Sequence, residues 1–407
     1  MSRKAIEIDG RTGEGGGQLV RVAIALAAVT SQPVRITHVR GNRPSRAGGH
    51  GGRASSSEGG GLKAQHVTAI RWLAETTEAD VEGLAVGSST LTFAPRLPPP
   101  AALAGRPRNL KIDGDTFAAS TLLILQAVLP FLLYAAADDD PSAPIELEIT
   151  GGTNVAWSLS YEYLDQVLLP RLEASFGVRV DRTLKRRGWS LGPQTRGSIL
   201  LTIHPLRPGC TLRLLDRSNG MLLAAAADDD GRPGARPRLV LPDAEVHFKI
   251  VEDSGHDARV YVLLVARSAS GHRWGRDALM SIPKKGRQRE PFASLVSRRV
   301  VGDLVKELAV PESTADEFLQ DQLVVFQALA EGATSIPRHP PPKGADVEGL
   351  GRDVAQPGSG ERMRRDRPFG HGSLHAQTAR WVTSEILPSV EWYCKGTVCK
   401  GVGTKFG

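Results

Sequence analysis

Apolar positions in the first ninety residues recur with two different periods. Residues 4–9 alternate as a short strand, whereas 18–29 carry Leu19, Val22, Ala23, Leu26 and Ala27 on one helical face. Residues 33–39 read as a strand, and 61–75 as a helix through Leu62, Val67, Ile70 and Leu73. Strands at 81–86 and 90–93 flank a turn at Gly87–Ser89. The order then returns: a strand at 109–112, a long apolar helix at 116–135, a strand at 145–149, a helix at 158–176 and a strand at 178–182. Two stretches alike in length and element order predict an internal structural repeat.

The pattern changes after residue 184. Short strands are predicted at 198–204, 238–241, 246–251 and 259–266, with a loop at 224–236, so 185–287 reads as a small, mostly β insertion. A third helical pair follows at 292–308 and 315–331, separated by Pro311. Residues 336–372 are rich in Pro, Gly and Arg and read as a disordered loop. A helix at 374–387 stops at Pro388, and strands at 390–393 and 397–400 close the chain. The expected division is a core of 1–184 plus 288–407 around an insert domain of 185–287.

Composition narrows the class. The chain has 44 Gly and 27 Pro, but the Gly residues cluster without a three-residue period, which excludes collagen. The longest apolar stretch, 117–137, contains Gln126 and Pro130 and reads as a buried helix, so no membrane partner is expected. The polar N-terminus is unlike a secretory leader. Three cysteines, Cys210, Cys394 and Cys399, make no disulfide framework, so a reducing compartment, nucleus or cytoplasm, is expected. The net charge is +7, and residues 1–72 hold eleven Lys and Arg against four acids, so this segment accounts for all of it. Such concentration points to an anionic partner, nucleic acid or nucleotide, or to a basic surface with none.

Five local patterns carry candidate chemistry. Glu14-Gly15-Gly16-Gly17-Gln18 precedes a helix with Arg21 one turn in. Glycine lets backbone approach a ligand, and free N–H groups at a helix start attract anions; a plain turn has the same composition. Arg40-Gly41-Asn42-Arg43 places two guanidinium forks at a strand end, and Gln65 and His66 open the next helix beside it. Gln126 lies inside an apolar helix and must find a partner, either backbone or a ligand such as a purine edge. Phe318 and Gln322 share a helix face with Asp321 adjacent, so Asp321 is a candidate to orient a base or hold a metal, or a solvated acid. Ser373 is an N-cap candidate that puts His375 in the first turn, where the helix dipole depresses its pKa and leaves a nucleophilic lone pair.

These five pieces, in this order, resemble the RNA 3'-terminal phosphate cyclase family over about 4–184, 258–332 and 373–402. The Glu-Gly-Gly-Gly-Gln turn followed by Arg21 is the most specific mark; the paired arginines, Gly61-Leu62 with Gln65-His66, the block around Asp321 and a late histidine followed by Thr378 complete it. The resemblance implies an α/β (α+β) fold of three repeats of a two-helix, four-stranded unit, similar to the C-terminal domain of bacterial translation initiation factor 3, with a small inserted α/β domain. It implies ATP, a divalent cation (Mg2+ or Mn2+) and an RNA with a 3'-terminal phosphate. His375 matches the histidine that takes AMP. Gln126, Phe318, Asp321, Gln322 and Leu159 match ATP-site positions. Glu14, Gly16, Gly17, Gln18, Arg21, Arg40, Arg43, Gln65 and His66 match the cleft around phosphates, RNA end and metal, with Glu14 the metal candidate.

Departures accompany the match. Phe318 stands where the family usually has Tyr, and Leu159 where many members have Pro. Residues 44–60 and 336–372 are extra, Leu191 to Gly197 replaces a Gly triplet, and the insert lacks a clear long helix. A non-catalytic or nuclease-like relative in ribosomal RNA processing is the alternative, disfavoured by His375. An enolpyruvyl transferase is a third reading, disfavoured by the basic segment.

Overall fold

The computed structural model describes residues 3–43, 60–137, 140–215, 227–228, 238–239, 245–282, 290–338 and 367–406. Most of the expected loop at 224–236 and of the extra segments at 44–60 and 336–372 lies outside the described residues; the described pair Ala227–Asp228 within that loop is strand. The first unit runs β1 (Ile6–Asp9), α1 (Gly17–Thr30), β2 (Val34–Thr37), α2 (Ala64–Thr77), β3 (Asp80–Glu82) and β4 (Leu91–Ala94). Its sheet has the order β1-β2-β4-β3, with β1 parallel to β2 and the other pairs antiparallel. A short helix, α3 (Pro99–Leu103), leads onward.

The second unit runs β5 (Asn109–Asp113), α4 (Thr121–Leu132), β6 (Ile145–Gly151), α5 (Tyr161–Tyr163), a π turn (Leu164–Leu168), α6 (Leu169–Phe176), β7 (Val180–Arg186) and β8 (Gly197–Ile203). Its sheet order, β5-β6-β8-β7, repeats the first in both sequence and direction. Here one expectation is corrected. Residues 198–204 were assigned to the insertion, but β8 pairs along its length with β6 and β7, burying Ile199, Leu201 and Ile203. Both edges of that strand are paired within the second sheet, which composition alone does not reveal.

Two small antiparallel pairs follow, β9 (Ala227–Asp228) with β10 (Arg238–Leu239) and β11 (Val260–Arg267) with β12 (Arg273–Met280). The helix α7 (Phe292–Leu308) packs on β11 and β12 through Val296 and Val300, beside Ala278. So α7 packs with the hairpin rather than with α8. Residues 246–251 form no strand: Val246, Phe248 and Val251 are exposed, and the segment is tethered by Lys249 to Asp165 and by Glu252 to Arg187. Their alternation has the period of a strand, but no described strand lies alongside to pair with it.

The last unit holds α8 (Glu317–Leu329), β13 (Glu331–Ser335), α9 (Leu374–Ile386), β14 (Glu391–Tyr393) and β15 (Val398–Val402). α8 pairs with α9, not with α7 as the sequence order suggested. The sheet order is β13-β15-β14, and Arg213 bridges parallel to Glu331 where a fourth strand would lie. The chain is thus a mixed α and β protein with several sheets.

One core joins the three sheet units, with a smaller separate cluster under α7. α1 packs against α2, α4 and α9, and α4 against α8, so α1 is buried nearly all round. That explains why its apolar content exceeds a single stripe. Phe131 at the end of α4 is fully buried and meets Trp72 of α2 edge-on at 6.3 Å. Phe131→Ala is expected to cost about 3–5 kcal/mol, read as a lower urea midpoint with unchanged slope. A loss under 1 kcal/mol would mean that the helices close over the gap.

Candidate active site

The glycine turn brings three distant segments together. Gly15 adopts φ +56, and a Cβ there would collide with Asn42, whose Nδ2 donates to Arg11 O at 2.5 Å. A Cβ on Gly17 would lie 2.6 Å from His66 Nε2 and 2.9 Å from Arg21 Nη1. Both side chains therefore reach the start of α1 only because residue 17 has none. Gly16 is the N-cap of α1, and no side chain caps the free N–H groups there.

Glu14 is almost wholly buried by its neighbours. Its backbone N–H donates to Thr378 Oγ1 at 2.9 Å, which ties the turn to α9. Arg43 pairs with Glu14 Oε1, while Glu14 Oε2 is buried with no partner among the described residues. Arg40, at φ +56, donates to Gly61 O at 3.0 Å. Burial and the neighbouring Arg43 lower its pKa. His66 Nδ1 accepts from Lys63 N at 3.1 Å, so a neutral ring carries its proton on Nε2, which is buried and unpaired. Burial, then Arg21, Arg40 and Lys63, hold the His66 pKa well below its ordinary value. Gln65 is half-buried beside it at the start of α2. An anion would satisfy the His66 donor, and a cation the Glu14 oxygen.

Ser373 caps α9, its Oγ accepting from Ala376 N at 3.1 Å, and places His375 in the first turn as expected. His375 Nδ1 lies 2.6 Å from Gln18 Oε1 and 4.0 Å from Glu14 Oε1. Because the amide oxygen only accepts, Nδ1 carries the proton and Nε2 the free lone pair. The amide is oriented in turn by Asp321, which accepts hydrogen bonds from Gln322, at 2.5 Å, and from Gln18. Burial is the largest cause of the lowered His375 pKa; Glu14 opposes it, while Arg21 and Arg43 add to it. Burial also pushes Asp321 up to about 7 and Arg21 down to about 10.

A cavity opens from this network. Gln18, Arg21, Gln126, Leu159, Asp321 and Gln322 line it, with apolar side chains of α4, the π turn and α8 between them. Arg21 Nε donates to Gln126 Oε1 at 2.8 Å, so the buried amide does find a side-chain partner. Pro130 also belongs to the wall; lacking an N–H, it leaves the Gln126 carbonyl without its helical donor. Pro170 similarly frees Gln166 O, which accepts from Arg273 at 2.8 Å, and the π turn just before it aims Leu164 and Leu168 into the cavity. Phe318 is not in that lining. Its ring lies under the Arg276 guanidinium at 4.1 Å and edge-on to Tyr163 at 6.4 Å.

The sequence reading named Thr378 as part of the late-histidine motif but gave it no bond to Glu14, and it missed the π turn and Arg276. Thr378 stands three residues after His375, one turn along the same face, so helical spacing could have placed it at the site. The other two depend on tertiary packing that no local pattern signals.

A model of the RNA 3'-terminal phosphate cyclase family matches residues 12–388. A protein of that name from Thermococcus kodakarensis is 32% identical over 344 residues, covering 81% of this chain and 87% of its own length. Others of the same name are similar: one from Methanosarcina mazei, 33% identical over 344 residues (80% of this chain, 88% of that protein), and one from Hyperthermus butylicus, 33% identical over 350 residues (81% and 86%). These relatives are archaeal, so the nuclear half of the expected location gains nothing from them. Among the described residues no helix is long and apolar enough to cross a membrane.

Proposed function

This chain belongs to the RNA 3'-terminal phosphate cyclase family, and from that premise we propose that it converts an RNA 3'-terminal phosphate to a 2',3'-cyclic phosphate with ATP, through an adenylate on His375. The observation that carries the reading is the Gln18 amide held on His375 Nδ1 at 2.6 Å at the edge of a cavity lined by Arg21, Gln126 and Asp321.

His375 Nε2 attacks the α-phosphorus of ATP, the bond to the β-phosphate oxygen breaks, and diphosphate leaves. The Nδ1 proton stays on the ring, stabilised by Gln18 Oε1. An oxygen of the RNA terminal phosphate then attacks the same phosphorus and breaks the N–P bond, giving an RNA-adenylate. The ribose 2'-hydroxyl attacks the terminal phosphorus, loses its proton, and expels AMP. That last step is intramolecular, so orientation already favours it. Arg21, Arg40 and Arg43 offset phosphate charge, and His66 Nε2–H donates to a phosphate oxygen. Glu14, through its unpaired Oε2, would hold a divalent cation. Such an ion, when bound, polarises phosphoryl oxygens. Leu159 contributes apolar wall where a base lies, with Phe318 standing outside that wall as the chain is described.

On this reading the three sheet units are three repeats of one two-helix, four-stranded plan. The third opens at Arg213 and is interrupted by the hairpin β11–β12 with α7. Incubation with ATP labelled at its α-phosphorus tests the proposal. Acid-labile, alkali-stable label on the protein is expected, and its absence sinks the mechanism.

Arg40→Ala and Arg43→Ala should each weaken binding of a 3'-phosphorylated RNA and flatten the plot of log affinity against log salt by about 0.7 per lost contact. Unchanged slopes would remove both arginines from the phosphate contacts.

A further inference from the structure

Trp157 has a relative exposure of 101%, the most exposed of the large apolar side chains among the described residues, and its backbone sits at φ +66. Burying a ring this size is ordinarily favourable, and a bulky residue rarely adopts positive φ without a reason. The surrounding loop is not loose. Asn154 N donates to Gly188 O at 2.9 Å, Ala156 N to Ser190 Oγ at 3.1 Å, and Tyr161 N to Thr153 O at 3.1 Å. Ser158 Oγ meets Ser120 Oγ, the N-cap of α4, at 2.5 Å. Pinned on both sides, the loop holds the indole out from the protein in a fixed place.

That place is the rim of the candidate site. Leu159, two residues on, lines the cavity, and α4 starts beneath the loop and carries Gln126 into it. Six residues of helix separate Ser120 from Gln126, roughly 9 Å. The ring itself touches nothing in the cavity, so a base held inside cannot be its partner without leaving. A polymer whose end enters the cleft on the Leu159 side passes this ring.

We propose that Trp157 is a stacking platform for a nucleobase of the RNA just upstream of the 3'-terminal nucleotide. The inference rests on the RNA-end reading above and adds a binding subsite to it. Stacking on an exposed, rigid aromatic ring is tolerant of base identity, so this contact adds affinity for any sequence and little selectivity among bases.

The test compares wild type, Trp157→Ala and Trp157→Phe. Because the ring makes no protein contact, removing it leaves the fold in place. Two readouts are kept apart: the yield of protein–AMP adduct with ATP alone, and the affinity for 5'-fluorescent RNA ending in a 3'-phosphate. Trp157→Ala should keep adduct yield within about twofold and lose about 5- to 100-fold in RNA affinity, and Trp157→Phe should keep most of it. An abasic second or third nucleotide from the 3' end should weaken binding to wild type and not to Trp157→Ala.

The proposal is overturned if Trp157→Ala binds RNA as wild type does, or if its sensitivity to the abasic nucleotide persists. It is also overturned if adduct yield falls while RNA affinity holds, since the ring would then serve the adenine of ATP. Trp157-dependent RNA binding without any adduct in wild type would keep the platform and remove the adenylation mechanism. Neither adduct nor RNA binding in wild type removes both.

Discussion

His375→Ala is expected to abolish the protein–AMP adduct and to lower cyclisation by at least about 10³-fold. No other described group can take its place. His66 lies near the same turn, but its Nδ1 is engaged by Lys63 N, which leaves a proton and not a lone pair on Nε2. The loss should not reflect unfolding. The His375 side chain is 45% exposed, hydrogen-bonds Gln18 among the described residues and only approaches Glu14 at 4.0 Å, so stability should change by less than about 1 kcal/mol. ATP affinity should change little, because Arg21, Gln126 and Asp321 are untouched. An RNA that already carries the adenylate should still cyclise on the variant, since expulsion of AMP by the 2'-hydroxyl needs no nucleophile from the protein. Label that survives on His375→Ala would place the nucleophile elsewhere; failure with the preformed adenylate would give His375 a second task.

The pieces of this site were legible because each rests on a local rule. A Gly triplet before a helix, a serine one residue before an apolar-periodic run and a lone amide in an apolar helix can each be read without a fold. What could not be read was how they are wired. Gln18, Asp321 and His375 come from three helices, α1, α8 and α9, and only packing of those helices sets the amide between acid and imidazole. The fold divided in the same way. The elements of the first two units each carry a clear period of their own, so their periodicities located them even across the long β2–α2 connection. β8 was misassigned because its apolar run is the same whether it pairs with β6 or stands in an insertion. α7 was misassigned because the apolar residues of a helix, here Val296 and Val300 among those that end up buried, do not say which neighbour they bury against. Phe318, matched by resemblance to an ATP-site position, does not line the described cavity, and its ring packs under Arg276, a contact 42 residues distant in sequence and invisible to spacing.

The wiring also sets the pH dependence, and Asp321 is the group that titrates. Burial pushes its carboxyl up to about 7, against hydrogen bonds from Gln322 and Gln18 and the charge of Arg21, which favour the ionised form. Above that value the carboxylate accepts the Gln18 N–H, the amide oxygen faces His375 Nδ1–H, and Nε2 is free to attack. Below it the protonated acid no longer requires a donor from Gln18. The amide can turn, Nδ1 can become the acceptor, and the proton moves to the nitrogen that should attack. Adduct formation in wild type should therefore fall about tenfold per unit below pH about 7, with a further fall where His375 itself gains a proton. Asp321→Asn should lose the limb near 7 and run about 10²-fold slower at pH 8, since the imidazole is no longer held in one tautomer. Stability should move the other way. Between the ordinary value of 3.8 and about 7, the folded chain keeps a proton that the unfolded chain releases, so folding weakens as pH rises across that window. Asp321→Asn removes this penalty and should gain up to about 4 kcal/mol at pH 8, with little change at pH 4. Urea midpoints at the two pH values, set beside adduct rates across pH 5–9, check both halves. Parallel pH profiles for wild type and variant would show that Asp321 does not govern the tautomer, and an unchanged midpoint at pH 8 would show that its charge is solvated in the folded protein.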